Sequence, residues 1–299
     1  LSGYLGHNAL RKPPLIFGHE FSGVVVGMGM KAAKTSGLEI GMRVTANPLV
    51  TCGRCVRCLE GRQQLCRDRK LLSAALPGSN AEFVVVPAPF VHPLPEHLTL
   101  QQGALVEPIA CAARVAELAK PRPADRAVVF GMGPIGLFVL QVLRVYGVRD
   151  IFAVDLSKER LEMAESFGAA ALSPAEADVV EEIRKRSGGG VDIAVDAVGA
   201  QVTRRQCCES VVPGGRVVFT GLHEAESSLP VNAIIRNEIQ VYGSFAYSSV
   251  TFRTALRWLS DGLVGLSEGL IEAPLEEGAE WYEKLLANPG KTAKVLLVP

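Results

Sequence analysis

Hydrophobic and polar positions fall into two textures along the chain. Over the first hundred residues, short β-branched runs at 23–26, 41–45 and 82–87 are separated by Gly and Pro, which predicts a small all-β barrel. From residue 127 the texture becomes a β-α alternation, with strands predicted at 127–130 and 151–155 and helices at 134–146 and 157–167. A second half-unit continues it, with strands at 191–198, 216–220 and 238–245 and helices at 174–186 and 203–209. Strands alternating with helices in this way specify a doubly wound parallel sheet. Beyond Tyr247, two helical patterns (251–259 and 276–286) and a strand (294–298) lie outside the alternation and are expected to return to the barrel. The fold class is therefore α/β, with segments 1–110, 111–246 and 247–299, and a Cys-rich insertion at 52–66 interrupting the first.

Length supports this division, because 299 residues of 48% hydrophobic character exceed what one ordinary core accommodates. Lys plus Arg and Asp plus Glu number 31 each, so no global field draws the chain to nucleic acid or an anionic membrane. A small-molecule partner is the expectation. The longest uncharged stretch, 127–143, falls short of a membrane span and is broken by Gly131, Gly133, Pro134 and Gly136. No secretory signal pattern is read in the sequence, so a reducing cytoplasmic location is expected, where disulfides do not persist.

The seven cysteines then need another role. Cys52, Cys55, Cys58 and Cys66 stand as C-x2-C-x2-C-x7-C, a spacing that wraps four thiolates around one tetrahedral zinc and closes it to substrate. The hydrophilic neighbours Arg54, Arg57, Glu60 and Arg62 argue against simple core packing. An iron–sulfur cluster is the competing reading. Bacterial ferredoxin runs end C-x3-C-P, however, whereas here the last gap is seven residues and Arg67 comes next, which favours zinc. Cys111, Cys207 and Cys208 read as packing residues.

Gly131-Met132-Gly133-Pro134-Ile135-Gly136 follows an apolar strand and opens a helix, so its glycines permit a tight turn and bring a pyrophosphate to backbone N–H groups. Asp155 lies nineteen residues beyond Gly136, where a carboxylate accepts the adenosine ribose hydroxyls and disfavours the extra phosphate of NADP; NAD is expected. The alternative for Asp155 is an N-cap of the following helix, although Ser157 competes for that role. Arg160 leaves a cation near the carboxylate that would tolerate a phosphate. Val198, Gly221 and Leu222 end later strands on the sheet edge and are candidates for the nicotinamide wall.

The run GHEFSGVVVGMGMKA, beginning at Gly18, satisfies G-H-E-x2-G-x5-[GA]-x2-[IVSAC], the signature of zinc-containing alcohol dehydrogenases. With the four-cysteine insertion and the glycine fingerprint in the same order, the chain resembles the medium-chain dehydrogenase/reductase superfamily over essentially its whole length. The resemblance implies a GroES-like catalytic barrel and a Rossmann domain. It also implies a catalytic zinc held by His19 and Glu107, with Glu20 as an exchanging or supporting ligand and an open position where a substrate hydroxyl loses its proton more readily. Ser244 and Phe245 are implied cofactor contacts. His7, His92, His97 and His223 lack such context.

The family's first zinc ligand is a Cys in a C-G-[ST]-D motif upstream of G-H-E, and the chain opens at Leu1-Ser2-Gly3-Tyr4, which resembles the family sequence just after that motif. The expectation is a fragment lacking roughly forty residues, or a site without that ligand. Ser2 falls near the family's proton-relay position. Val106-Glu107-Pro108 and the run IIRNEIQVYGSFAYSS resemble the polyol branch, most closely galactitol-1-phosphate 5-dehydrogenase and then sorbitol dehydrogenase, though Ala246 stands where sorbitol dehydrogenases carry Arg. Tyr247 and Ser248 are read either as cleft residues or as strand-end packing. The implied activity is oxidation of a secondary hydroxyl of a polyol or sugar-alcohol phosphate by a homodimer or homotetramer, with L-threonine or another secondary alcohol as alternative substrates. A non-catalytic, zinc-stabilised NAD-binding scaffold is the reading from another class.

Overall fold

The computed structural model describes residue 11 and residues 13–299; Ser2 lies outside the described residues. Two compact units emerge, one formed by the chain up to Ala110 together with Tyr247–Pro299, the other by Cys111–Ala246. In the first unit, β1 (Ser22–Val24), α1 (Met30–Thr35), β2 (Arg43–Ala46), β3 (Leu49–Val50), α2 (Val56–Leu59), β4 (Lys70–Leu71), β5 (Val91–Pro93) and α3 (Leu100–Gly103) precede α4 (Val106–Ala119), which continues into the second unit. Antiparallel pairing gives the sheet order β1-β2-β5, with a separate β3-β4 ribbon. The predicted strand at 82–87 is not assigned as one. Phe83 and Val85 are 70% and 92% exposed, and among the described residues the backbone from Ala81 to Val86 forms no backbone–backbone hydrogen bond. The alternation is real, but pairing is what turns an extended segment into a strand.

The second unit runs β6 (Ala127–Phe130), α5 (Pro134–Val145), β7 (Ile151–Val154), α6 (Lys158–Ser166), β8 (Ala170–Leu172), α7 (Val179–Ser187), β9 (Val191–Asp196), α8 (Gln201–Ser210), β10 (Val211–Phe219), α9 (Val231–Arg236) and β11 (Gln240–Gly243). Its sheet order is β11-β10-β9-β6-β7-β8, parallel throughout, so the direction of winding reverses between β6 and β9. Every residue of β6 and β7 is buried, as strands covered on both faces require. Val128, Phe130, Val154, Ile183, Ala194 and Val217 form the centre of one core cluster. Arg216 closes the exit of α4, donating to the carbonyls of Ala119 and Lys120 and pairing with Asp125 at 2.8 Å.

The remaining chain adds α10 (Ser249–Ser260), β12 (Leu270–Pro274), α11 (Gly278–Ala287) and β13 (Lys294–Val298) to the first unit. β12, which the sequence pattern does not announce, pairs in parallel with β13 and places Lys294 opposite Leu270. No helix among the described residues is long and apolar enough to cross a membrane.

Candidate active site and zinc lobe

Local backbone demands explain the Gly-His-Glu turn. Gly18 has φ +90°, and a β-carbon there would overlap the side-chain oxygen of Asn80, so only glycine fits. The turn is clamped by the facing segment: Gly78, Ser79 and Asn80 donate backbone N–H bonds of 2.8, 2.9 and 2.8 Å to the carbonyls of Ile16, Gly18 and Phe17. Asn80 is itself anchored, its amide donating to the Tyr282 hydroxyl at 3.2 Å. His19 is thereby held at the wall of a cavity of about 830 Å³ that Glu20, Lys294 and Trp281 also line.

Glu107 arrives from a different direction, in the first turn of α4, where a carboxylate is favoured by the helix dipole and Pro108 sacrifices no intrahelical bond. Its surroundings are apolar: Leu105, Val106, Ile109 and Ala110 are fully buried, and Glu107 is 7% exposed. A carboxylate in such a place needs polar partners, and the Tyr247 hydroxyl donates to its Oε1 at 2.9 Å. Tyr247 is buried and its ring packs 5.6 Å from that of Phe252, which lies 5.1 Å from the His92 ring. Ser248 has a different task, accepting from the Thr251 amide at 3.1 Å as the N-cap of α10.

The ligand atoms of His19, Glu20 and Glu107 all lie within 4.8 Å of one another. Burial, reinforced by Arg11 and Lys294, pushes the His19 imidazole down to about 3, so it is neutral and its lone pair is free for a metal. Glu20 has a partner that sequence reading missed: the Lys294 ammonium lies against its Oε2. Burial pulls Lys294 down to about 7, and the Glu20 carboxylate is the group that favours its proton. One nitrogen and two carboxylates around a small space fit a divalent cation, with zinc served by the imidazole. A lone Lys opening the apolar run KVLLV is the signal that could have marked residue 294.

The four sulfurs of Cys52, Cys55, Cys58 and Cys66 also lie within 4.8 Å of one another. Cys52 Sγ is 3.9 Å from that of Cys58 and 3.5 Å from that of Cys66. Tetrahedral zinc–thiolate bonds of ~2.3 Å place sulfurs about 3.8 Å apart, so the space suits one ion and not a multi-iron cluster. Backbone N–H groups of Arg54 and Cys55 lower the Cys52 thiol to about 6, whereas burial pushes Cys58 up to about 12. Cys58 becomes a thiolate only with a cation among the sulfurs. Cys58→Ser is expected to lower the zinc content by one ion and loosen the lobe, with NAD affinity unchanged, because the glycine fingerprint belongs to the other unit. Elemental analysis beside NADH fluorescence titration checks both halves.

In the second unit the candidate cofactor residues gather at the carboxyl ends of β6, β7, β9 and β10, beside the reversal of winding, where doubly wound sheets bind ligands. Gly131 (φ +91°) has no room for a β-carbon, which would sit 2.6 Å from a Val198 methyl, and one on Gly136 would overlap the Gly131 carbonyl. Asp155 Oδ2 accepts from the Met132 amide at 2.6 Å and Oδ1 from the Ser157 amide at 2.8 Å, leaving lone pairs on both oxygens. The cap of α6 is Ser157, which accepts from the Arg160 amide at 3.3 Å. The Arg160 guanidinium reaches within 4.0 Å of the space beside Gly133. Gly221 abuts Gly199, Leu222 is 76% exposed, the Ser244 amide donates to Phe219 at 2.8 Å, and Phe245 is 37% exposed. The glycine cradle and the strand-end carboxylate fit a dinucleotide.

Residues 2–96 match the alcohol dehydrogenase GroES-like domain and residues 134–261 the zinc-binding dehydrogenase domain. D-xylulose reductase A of Aspergillus niger is 35% identical over 291 residues, which cover 93% of this chain and 79% of that protein. The crystal structure of 2R,3R-butanediol dehydrogenase from Bacillus subtilis superposes with a TM-score of 0.87 at 33% identity, covering 97% of this chain and 82% of the other. That of an alcohol dehydrogenase from Escherichia coli CFT073 complexed with NADH gives 0.90 at 29% identity, covering 99% and 86%. The chain belongs to the zinc-containing medium-chain dehydrogenases, in their polyol dehydrogenase branch. It is an oxidoreductase of alcohol groups, and its four-cysteine cluster fits a structural zinc.

Proposed function

We propose that the protein interconverts a secondary hydroxyl of an acyclic polyol and the corresponding ketone, with NAD as hydride acceptor and a catalytic zinc held by His19 and Glu107. The observation that carries this reading is the convergence of His19, Glu20 and Glu107, from segments far apart in the chain, within 4.8 Å. Zinc held by His19 and Glu107 would supply the Lewis acidity that lowers a hydroxyl's pKa, and NAD held by the glycine fingerprint and Asp155 would supply the hydride acceptor. The chain's own residues do the positioning. Tyr247 fixes one oxygen of Glu107, Lys294 engages Glu20, and the cavity wall beside His19 offers the substrate a place next to the ligands.

The likeness to D-xylulose reductases favours a ketose/pentitol pair, and a sugar-alcohol phosphate is the variant to test against it. In the zinc-loaded protein, NADH appearance across xylitol, sorbitol, galactitol, galactitol 1-phosphate, threonine and simple secondary alcohols is expected to show saturable turnover on a polyol. Turnover confined to threonine or to a simple alcohol would overturn the polyol assignment, and silence across the panel with NADH still bound would favour the scaffold. Assembly as a homodimer or homotetramer belongs to the same reading and is checked by light scattering.

Asp155 is assigned to the ribose hydroxyls. Asp155→Ala is expected to raise the NAD dissociation constant and relax selectivity toward NADP, because the substitution removes a charge that repels the extra phosphate. Titrations with both cofactors check it, and an unchanged preference would take Asp155 out of the site.

A further inference from the structure

We propose that the pair of buried Asp196 with Arg204 is a positioning device for the dinucleotide, holding in register two loops, 197–200 and 220–224, that carry the candidate contacts Val198, Gly221 and Leu222. The inference rests on the reading that this sheet edge takes NAD.

Asp196 ends β9 and is fully buried, a costly place for a carboxylate unless its lone pairs are satisfied. Its Oδ1 accepts from the amides of Val198 and Gly199 at 3.0 and 2.9 Å and from the Thr203 hydroxyl at 2.9 Å. Its main-chain carbonyl accepts from the amides of Thr220 and Gly221 at 2.9 and 3.0 Å. One residue thus sets the turn after β9 and joins it to the turn after β10. Arg204, on α8, completes the link from the far side. Its Nε lies 3.7 Å from Asp196 Oδ2, and its other nitrogens donate to the Ser227 hydroxyl at 2.7 Å and to the carbonyls of Glu224 and Gly221 at 2.9 and 3.3 Å.

The loops meet backbone to backbone: a β-carbon on Gly199 would overlap Gly221, and one on Gly221 would overlap Gly199. Such a contact has no side chains to adjust, so a small shift of either loop moves Val198 and Leu222 directly. The sheet below is already filled by Ile193, Val195, Val217 and Val218, all fully buried, so packing there does not depend on the pair. A buried ion pair adds little net stability over apolar replacements, and here it defines loop geometry.

The test is the double variant Asp196→Asn with Arg204→Met, which leaves no unpaired buried charge and keeps an acceptor for the Val198 and Gly199 amides. NADH fluorescence titration of the zinc-loaded protein is read beside hydrogen exchange over 197–224 and the melting temperature. The expected result is an NADH dissociation constant raised about tenfold, within the span that loosening one connected network produces. Faster exchange at 220–224 and a rise in KM for NAD larger than any fall in kcat should accompany it. A melting temperature lowered with NADH affinity unchanged would make the pair merely structural and overturn the inference. Wild-type protein that binds no NADH would instead overturn the cofactor reading, and the inference with it.

Discussion

His19→Ala is expected to cost the zinc-loaded enzyme more than about 100-fold in kcat/KM, beyond the ~10–100-fold that altering a residue which merely supports a ligand produces. His19 is the nitrogen donor of its cluster; without it the described ligands are the two carboxylates of Glu20 and Glu107, which hold zinc less well than a set that includes an imidazole. Elemental analysis after dialysis should therefore show one zinc lost, the four-cysteine ion remaining. The fold should survive, because the turn is clamped by Gly78, Ser79 and Asn80 through backbone bonds that the substitution does not touch. The direction of the His19 shift has a kinetic corollary. An imidazole lowered to about 3 is already neutral from about pH 5 to pH 8, so no His19 titration should appear in the activity profile there. Full zinc retention with unaltered turnover in His19→Ala would remove this residue from the metal site.

Much of this arrangement was legible in the sequence, for reasons that differ by element. The glycines at 131 and 136 and the strands around them are dictated by local sterics and by two-sided burial, and both leave marks in neighbouring residues. The four cysteines are legible for the same reason: their spacing within one loop nearly determines how their sulfurs meet. Lys294 and Tyr247 are different. Each acts on a residue more than a hundred positions away, and nothing beside either in sequence encodes its partner. The 82–87 segment fails in the opposite way, since its alternation is strong but strand formation depends on a pairing partner. β12 was missed because Leu270–Pro274 is short and carries Glu272 and Pro274, and only parallel pairing with β13 makes it a strand.

Tyr247→Phe should show how far the Glu107 carboxylate depends on its phenol. The substitution keeps the ring against Phe252 and removes one hydroxyl, so packing is retained while Glu107 Oε1 loses a 2.9 Å donor in an apolar pocket. Losing such a donor costs about 1–3 kcal/mol, and the comparable loss at characterised metal sites weakens metal binding by ~10–100-fold. The expected result is faster removal of the catalytic zinc by a chelator, with the four-cysteine zinc released as in the wild type. The fall in kcat/KM should be largely restored by excess zinc. The backbone supports a dedicated role for this contact. Ala246, immediately before Tyr247, has φ +46°, a left-handed conformation that costs a non-glycine residue about 1–2 kcal/mol. The chain therefore adopts a strained turn at the point where Tyr247 enters the first unit and meets Glu107. If the tyrosine were only a core side chain, Tyr247→Phe would leave chelator release unchanged, and that outcome would refute the assignment.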